Sequence, residues 1–259
     1  MSGASMRWLL IDAGNTRVKW ALADAAAAPG QWLAQGAVPH ADLPALAAQW
    51  RQAGGEPQRV LVANVAGAGV QDALAVLLAE WAPAAVVEWF ASVPARAGLV
   101  NGYRQPTQLG CDRFAAAIGA RALVPGSAVV VANCGTATTV DAVTADGVFI
   151  GGMILPGLAL MAGSLARNTA QLPQIAPGAA VPPVFADNTD DAILSGCLSA
   201  QAGAIERALA AHAGAACIIS GGAAAWVMPA LAVPARHVDN IVMIGLHAAL
   251  RADRMDGLC

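Results

Sequence analysis

The chain opens the same way twice, and this restart limits its possible folds more than any other feature. Trp8–Ile11 is a short apolar run ending in Asp12-Ala13-Gly14-Asn15-Thr16, after which Val18–Ala23 resumes with strand character. Much later the β-branched run Ala128–Ala132 leads into Asn133-Cys134-Gly135-Thr136-Ala137-Thr138-Thr139 and a second apolar run, Val140–Val143. Each opening reads as two strands around a tight, glycine-containing turn, a β-hairpin. Helical patterns follow both. The halves are too divergent to count as a repeat on identity, but their order of elements is that of an α/β unit used twice. Pro125-Gly126-Ser127 is the natural break, giving one domain over residues 1–124 and another over 125–259.

Other segments fit this plan. Strands are expected at Val60–Ala63, Val86–Phe90, Gly147–Ile154 and Ala216–Ser220. Helices are expected near Val70–Trp81, Cys111–Leu123, Leu158–Ala166, Asp190–Ala213 and Asp239–Ala252. The 259 residues suffice for one large domain or two moderate ones. A hydrophobic fraction of 57% raises the question of a membrane. Much of it is alanine, however, and the most apolar windows, Gly152–Ala166 and Ala122–Ala132, are broken by Gly, Pro or Ser. They fall short of the roughly 18 uninterrupted apolar residues of a span. The N-terminus lacks the apolar core and small-residue cleavage site of a signal peptide, so the expected location is cytoplasmic. A net charge of −3 without a Lys/Arg cluster argues against a nucleic-acid surface. The five cysteines, Cys111, Cys134, Cys197, Cys217 and Cys259, show neither CxxC nor Cys/His spacing and read as reduced, mostly buried thiols.

Several short stretches could carry chemistry. In Asp12–Lys19, Gly14 allows close backbone approach to an anion, and Asn15 and Thr16 add donors. Lys19 returns positive charge, and Asp12 could hold Mg²⁺ directly or through water. This favours a phosphate grip over an ordinary polar turn. The second turn repeats the logic with Gly135, Thr136, Thr138 and Thr139, although alternating threonines also suit a strand on propensity alone. Gly221-Gly222, between an apolar strand and a helix, permits either close packing or a flat ligand on the backbone. In Leu109-Gly110-Cys111-Asp112-Arg113, Asp112 could cap a helix or accept a proton from an alcohol attacking a phosphoryl group. His40, His212, His237 and His247 lie on separate segments without metal-ligand spacing and read as structural. The usual P-loop and dinucleotide-binding signatures are absent.

Taken together and in order, DxGNTxxK, LGxDR, GTATTVD, GGMILPGL and a later SGG resemble the type III pantothenate kinase family, also called the CoaX or Bvg accessory factor-like family. The resemblance spans nearly the whole chain. It implies a duplicated ribonuclease H-like α/β fold of the actin/Hsp70/sugar kinase superfamily, with ATP in the cleft. It further implies phosphorylation of pantothenate to 4′-phosphopantothenate, the first step of coenzyme A synthesis, with a non-catalytic regulatory role as the alternative. By this resemblance Asp12, Gly14, Asn15, Thr16 and Lys19 form the first phosphate motif, Gly135 and Thr136 the second, and Gly221-Gly222 the adenosine segment. Gly110, Cys111, Asp112 and Arg113 bind pantothenate, with Asp112 as general base. Tyr103 contacts the substrate, and Thr189 completes the site across a homodimer interface. Where the family commonly carries an aspartate that helps bind K⁺ or NH₄⁺, this chain has Asn133. Asparagine keeps an oxygen but removes the charge, so a weakened monovalent-cation site is expected.

Overall fold

A computed structural model describes residues 6–175 and 181–257. The chain forms two compact units, one built from the segment up to Leu123 together with that from Asn240 onward, the other from Val124–Asp239. The sequence reading placed a single break after residue 124, whereas the units divide the chain a second time before Asn240.

In the first unit, strands β1 (Arg7–Ala13), β2 (Arg17–Asp24) and β3 (Ala34–Pro39) form an antiparallel meander. Helix α1 (Ala45–Ala53) leads to β4 (Arg59–Asn64), and α2 (Ala68–Trp81) to β5 (Val86–Trp89). Both β4 and β5 run parallel to their neighbours, giving the order β3-β2-β1-β4-β5. β1 lies at the centre of the sheet, buried on both faces, which accounts for its near-continuous apolar run. On one face Leu9, Ile11, Val18, Trp20 and Leu22 meet Leu46 and Trp50 of α1 and Leu74, Leu78 and Trp81 of α2. A short hairpin, β6 (Ala95–Arg96) and β7 (Leu99–Asn101), precedes helix α3 (Cys111–Leu123).

The second unit repeats the plan. β8 (Val129–Cys134), β9 (Ala137–Val143) and β10 (Val148–Pro156) form the antiparallel meander, with a bulge between Phe149 and Gly151. Helices α4 (Leu158–Asn168) and α5 (Thr189–Ala211) follow, then β11 (Ala216–Ser220), the single turn α6 (Ala224–Val227) and β12 (Arg236–His237). β11 is parallel to β8 and β12 to β11, so this unit's own strands run β12-β11-β8-β9-β10, the same arrangement as β5-β4-β1-β2-β3, within a sheet of seven strands. Val130, Ala132 and Val140 pack with Leu158 and Ala162 of α4 and Ile193, Leu194, Leu198 and Ile205 of α5.

The last helix, α7 (Ile241–Met255), returns to the first unit, packing on α3 and against β1 and β4. The contact is close because Gly245 faces the α3 backbone, where a Cβ would collide with the carbonyl of Ala115. This crossing is why the C-terminal segment belongs with the first unit. Arg96 fastens it further, bridging Glu88 at 2.7 Å and Asp253 of α7 at 2.6 Å while its guanidinium lies over the Phe90 ring.

All the strands expected from sequence are present, as are the long helices. The turns are narrower than read from sequence. Asn133 and Cys134 belong to β8 and pair with Thr139 and Thr138 of β9, so the second turn is reduced to Gly135-Thr136. Asp12 and Ala13 likewise close β1. Cys111, Cys134, Cys197 and Cys217 are free thiols. Cys259 lies outside the described residues.

Candidate active site

The first hairpin follows from strand register. Asp12 pairs with Lys19 and Ala13 with Val18, leaving Gly14, Asn15 and Thr16 as the turn, closed by Gly14 N–H to the Arg17 carbonyl at 3.2 Å. Asn15 and Thr16 are exposed, while Asp12 is partly buried. Burial pushes the Asp12 carboxyl up to about 6; the charge of Lys19 opposes this shift and that of Asp112 adds to it. The ring of His40, just beyond β3, meets the Gly14 carbonyl through Nε2 at 2.8 Å.

Asp112 reaches the same corner from the first turn of α3. β4 lies beside β1 with Asn64 opposite Ala13, and the Cys111 thiol donates to the Asn64 carbonyl at 3.5 Å. The start of α3 is thereby tied to the C-terminal ends of two parallel strands, where α/β sheets commonly place their ligands. Burial raises the Asp112 carboxyl above its ordinary value, against the backbone N–H and charge of Arg113. Its Oδ1 accepts from the Arg113 N–H at 2.8 Å, which occupies one free amide of the first turn and leaves carboxylate capacity in hand. Gly110 matters here because a Cβ would stand 2.7 Å from that oxygen. Burial pushes the Cys111 thiol up to about 11, which keeps it protonated.

Arg113 is only 6% exposed, and its guanidinium donates to the Tyr103 hydroxyl at 2.8 Å and lies near the Tyr103 ring. Tyr103 is itself positioned by its N–H to Asn101 Oδ1. Asp12, Lys19, Tyr103, Cys111, Asp112 and Arg113 thus all belong to the first unit. Sequence reasoning missed Asn64 and the link from His40 in this corner. A polar residue closing the apolar run Val60–Ala63 was the available signal for Asn64.

The second unit holds the remaining candidates. Gly135 N–H meets the Ala137 carbonyl at 3.0 Å, and the Thr136 carbonyl accepts from Gly157 N–H at 2.9 Å. Gly221-Gly222 packs on this hairpin. Gly221 has φ of +93°, and a Cβ there would meet the Cys134 carbonyl at close range, while Ala223 N–H bonds the same carbonyl at 2.9 Å. The close-packing reading of Gly221 holds, since its backbone lies against Cys134 at the end of β8. Asn133 is partly buried on β8. Thr189 is exposed at the first turn of α5, whose N-terminus is capped by the Asn188 side chain accepting from Asp191 N–H at 3.0 Å. It borders a largely apolar cavity of about 590 Å³ between α4 and α5, lined also by Pro156, Met161, Leu165, Ile193 and Cys197.

Known proteins share both sequence and fold. The family model described as type III pantothenate kinase matches residues 8–211. A type III pantothenate kinase of Herminiimonas arsenicoxydans is 54% identical over 92% of this chain and 95% of its own length. One from Janthinobacterium sp. (strain Marseille) is 55% identical with the same coverage. Among solved structures, a Baf family protein from Campylobacter jejuni aligns with a TM-score of 0.62 at 17% identity, over 97% of this chain and 100% of that one. The ethanolamine utilization protein EutJ from Carboxydothermus hydrogenoformans aligns at 0.54 and 10% identity, over 95% and 89% of the two chains. These distant likenesses speak to the fold alone. With a family model covering most of the chain and relatives above 50% identity along nearly all of it, the chain belongs to the type III pantothenate kinase family.

Proposed function

We infer that the protein transfers the γ-phosphoryl group of ATP to pantothenate, forming 4′-phosphopantothenate at the entrance to coenzyme A synthesis. The observation that carries this reading is the 54% identity to a type III pantothenate kinase over nearly the full chain. The corner around Asp112 supplies its chemistry. Asp112 accepts the proton of the attacking pantothenate hydroxyl, and its burial raises its basicity toward that task. The buried Arg113, held by Tyr103, presents fixed positive charge for the acid end of pantothenate. The hairpins carrying Asp12–Lys19 and Gly135-Thr136 supply backbone and side-chain donors for the phosphates. Little covalent work is left for the protein, because phosphoryl transfer depends chiefly on positioning and charge. A non-catalytic role is not favoured, since Asp12, Lys19, Asp112 and Arg113 are all retained.

The donor set fits Mg²⁺. Among the described residues no group of three or more metal-ligating side chains occurs, and Asp12 is a half-hidden carboxylate whose elevated proton affinity a cation would offset. Asp12 would hold the ion with phosphate oxygens and water, the usual arrangement for Mg²⁺, which when bound neutralises developing phosphate charge. Asn133 would give a monovalent cation one neutral oxygen ligand. Thr189 at the mouth of the apolar cavity supports a homodimer that shares its substrate site, and the same reading places the enzyme in the cytoplasm. No helix among the described residues is long and apolar enough to cross a membrane. The deciding experiment is pantothenate-dependent ATP consumption by the pure protein, with sugars and short carboxylic acids as comparison acceptors. Turnover on one of those acceptors but not on pantothenate would refute the reading.

A further inference from the structure

His40 stands where strand register puts it. β3 runs antiparallel to β2, with Pro39 opposite Arg17, so the chain leaves β3 beside the first hairpin turn. Pro39 then precedes a single 3₁₀ turn, His40–Asp42, which sets the imidazole against that turn. The Nε2 to Gly14 oxygen distance is 2.8 Å across 26 residues of sequence. A carbonyl oxygen can only accept, so Nε2 carries the proton and donates. The turn's own closing bond, Gly14 N–H to the Arg17 carbonyl, is longer at 3.2 Å.

The consequence lies on the other side of the same peptide plane. No peptide bond among the described residues is cis. In a trans peptide the carbonyl and the following N–H point in opposite directions. With the Gly14 carbonyl tethered to His40, the Asn15 N–H faces away from His40, on an exposed residue at the tip of the turn. Glycine at position 14 makes this plane easy to rotate, and a flip would present a carbonyl dipole where an anion needs an N–H.

We propose that His40 is a positioning residue that locks the Gly14–Asn15 peptide with its N–H presented to a nucleotide phosphate. The inference rests on the reading of Asp12–Lys19 as a phosphate grip. His40 touches neither substrate. It acts through one hydrogen bond, keeping a flexible glycine turn in its anion-binding state before ATP arrives.

The test compares His40→Ala, His40→Gln and His40→Phe in the full chain, using steady-state kinetics and calorimetric binding of the magnesium complex of a non-hydrolysable ATP analogue. Loss of one hydrogen bond corresponds to about a 2- to 13-fold weakening. That loss is expected in the analogue Kd and the ATP KM of the Ala and Phe variants, with the pantothenate KM within about twofold of the parent. Gln, which keeps an N–H donor, is expected to recover most of it. Unchanged analogue affinity in His40→Ala overturns the inference, as does equal loss toward ATP and pantothenate, or a Gln variant no better than Phe. Lys19→Ala separates the two readings. If it weakens analogue binding while His40→Ala does not, the grip stands and the His40 role falls. If neither variant weakens binding, the phosphate grip itself is wrong and the inference falls with it.

Discussion

Asp112 and Asp12 show how one corner can give two carboxylates different work. Both are raised by burial, yet Lys19 stands opposite Asp12, while Asp112 sits at a helix start beside the buried Arg113. Asp112→Asn keeps the shape and the oxygen that accepts from the Arg113 N–H but removes the base. Turnover is therefore expected to fall by about 10²-fold or more with ATP binding retained, the usual scale for loss of a general base. Pre-steady-state measurement of the chemical step checks this, and near-parental chemistry would reduce Asp112 to an acceptor for the Arg113 N–H. The same shifts set a pH limb for the free enzyme. Both groups act ionised, so kcat/KM is expected to fall as pH drops through about 6, where Asp12 takes up its proton. Asn133 makes a separate prediction, because a neutral ligand attracts a cation less than a charged one does. The concentration of K⁺ giving half-maximal rate is expected to drop at least severalfold in Asn133→Asp, titrated against a Na⁺ background. Equal K⁺ requirements in the two proteins would remove Asn133 from the cation site.

Helix α7 illustrates which elements carry stability. His247 is fully buried on it, its ring edge-on to Trp8 and tilted against Trp32. Burial, and then the charge of Arg251, push its pKa down to about 4, although the nearby Asp24 opposes the shift. The imidazole is therefore neutral in the fold but charges in the unfolded chain near its ordinary value of about 6.5. Stability is complete above that value and is lost as pH falls from there toward 4. In His247→Leu, the loss of unfolding free energy between pH 7.5 and pH 5 is expected to shrink by roughly 1–2 kcal/mol, read from denaturant midpoints. An unchanged pH slope would place the acid sensitivity elsewhere. Elements also show what sequence could reveal. β1, β8 and β11 are central and apolar, so their signal is strong. β3, an edge strand reading Ala-Gln-Gly-Ala-Val-Pro, has neither β-branched density nor freedom from Gly and Pro, and its strand character comes from pairing with β2. β6, β7 and β12 are too short to carry a pattern. At the site, Gly14, Asp112 and Arg113 were readable from local motifs. Asn64 and His40 act through strand register and through contacts between segments far apart in the chain, which no local window contains.

At the scale of the whole molecule, the exposed residues around Thr189 bear on assembly. Phe185 is 94% and Val184 72% exposed in the segment that leads into α5. A protein that shares its substrate site between two copies is expected to elute as a dimer by light scattering at assay concentration. Phe185→Asp is expected to shift it toward monomer with a raised pantothenate KM; an active parental monomer would overturn the shared site. The return of α7 to the first unit has another consequence, in the order of synthesis. Ile241, Val242, Leu246, Ala249 and Leu250 are buried against elements made long before them. The 116 residues of the second unit, Val124–Asp239, are translated in between, an interval of roughly 6–23 s at ordinary elongation rates. During it α3 and the apolar face of β1 await their cover, while the second unit is contiguous and has a core of its own. Residues 124–239 expressed alone are therefore expected to fold cooperatively, and residues 1–123 alone to aggregate until a peptide carrying 240–257 is supplied. The ribosome thus releases the half bearing Asp112 last into its finished form, with an unfinished surface for chaperones to shield until then.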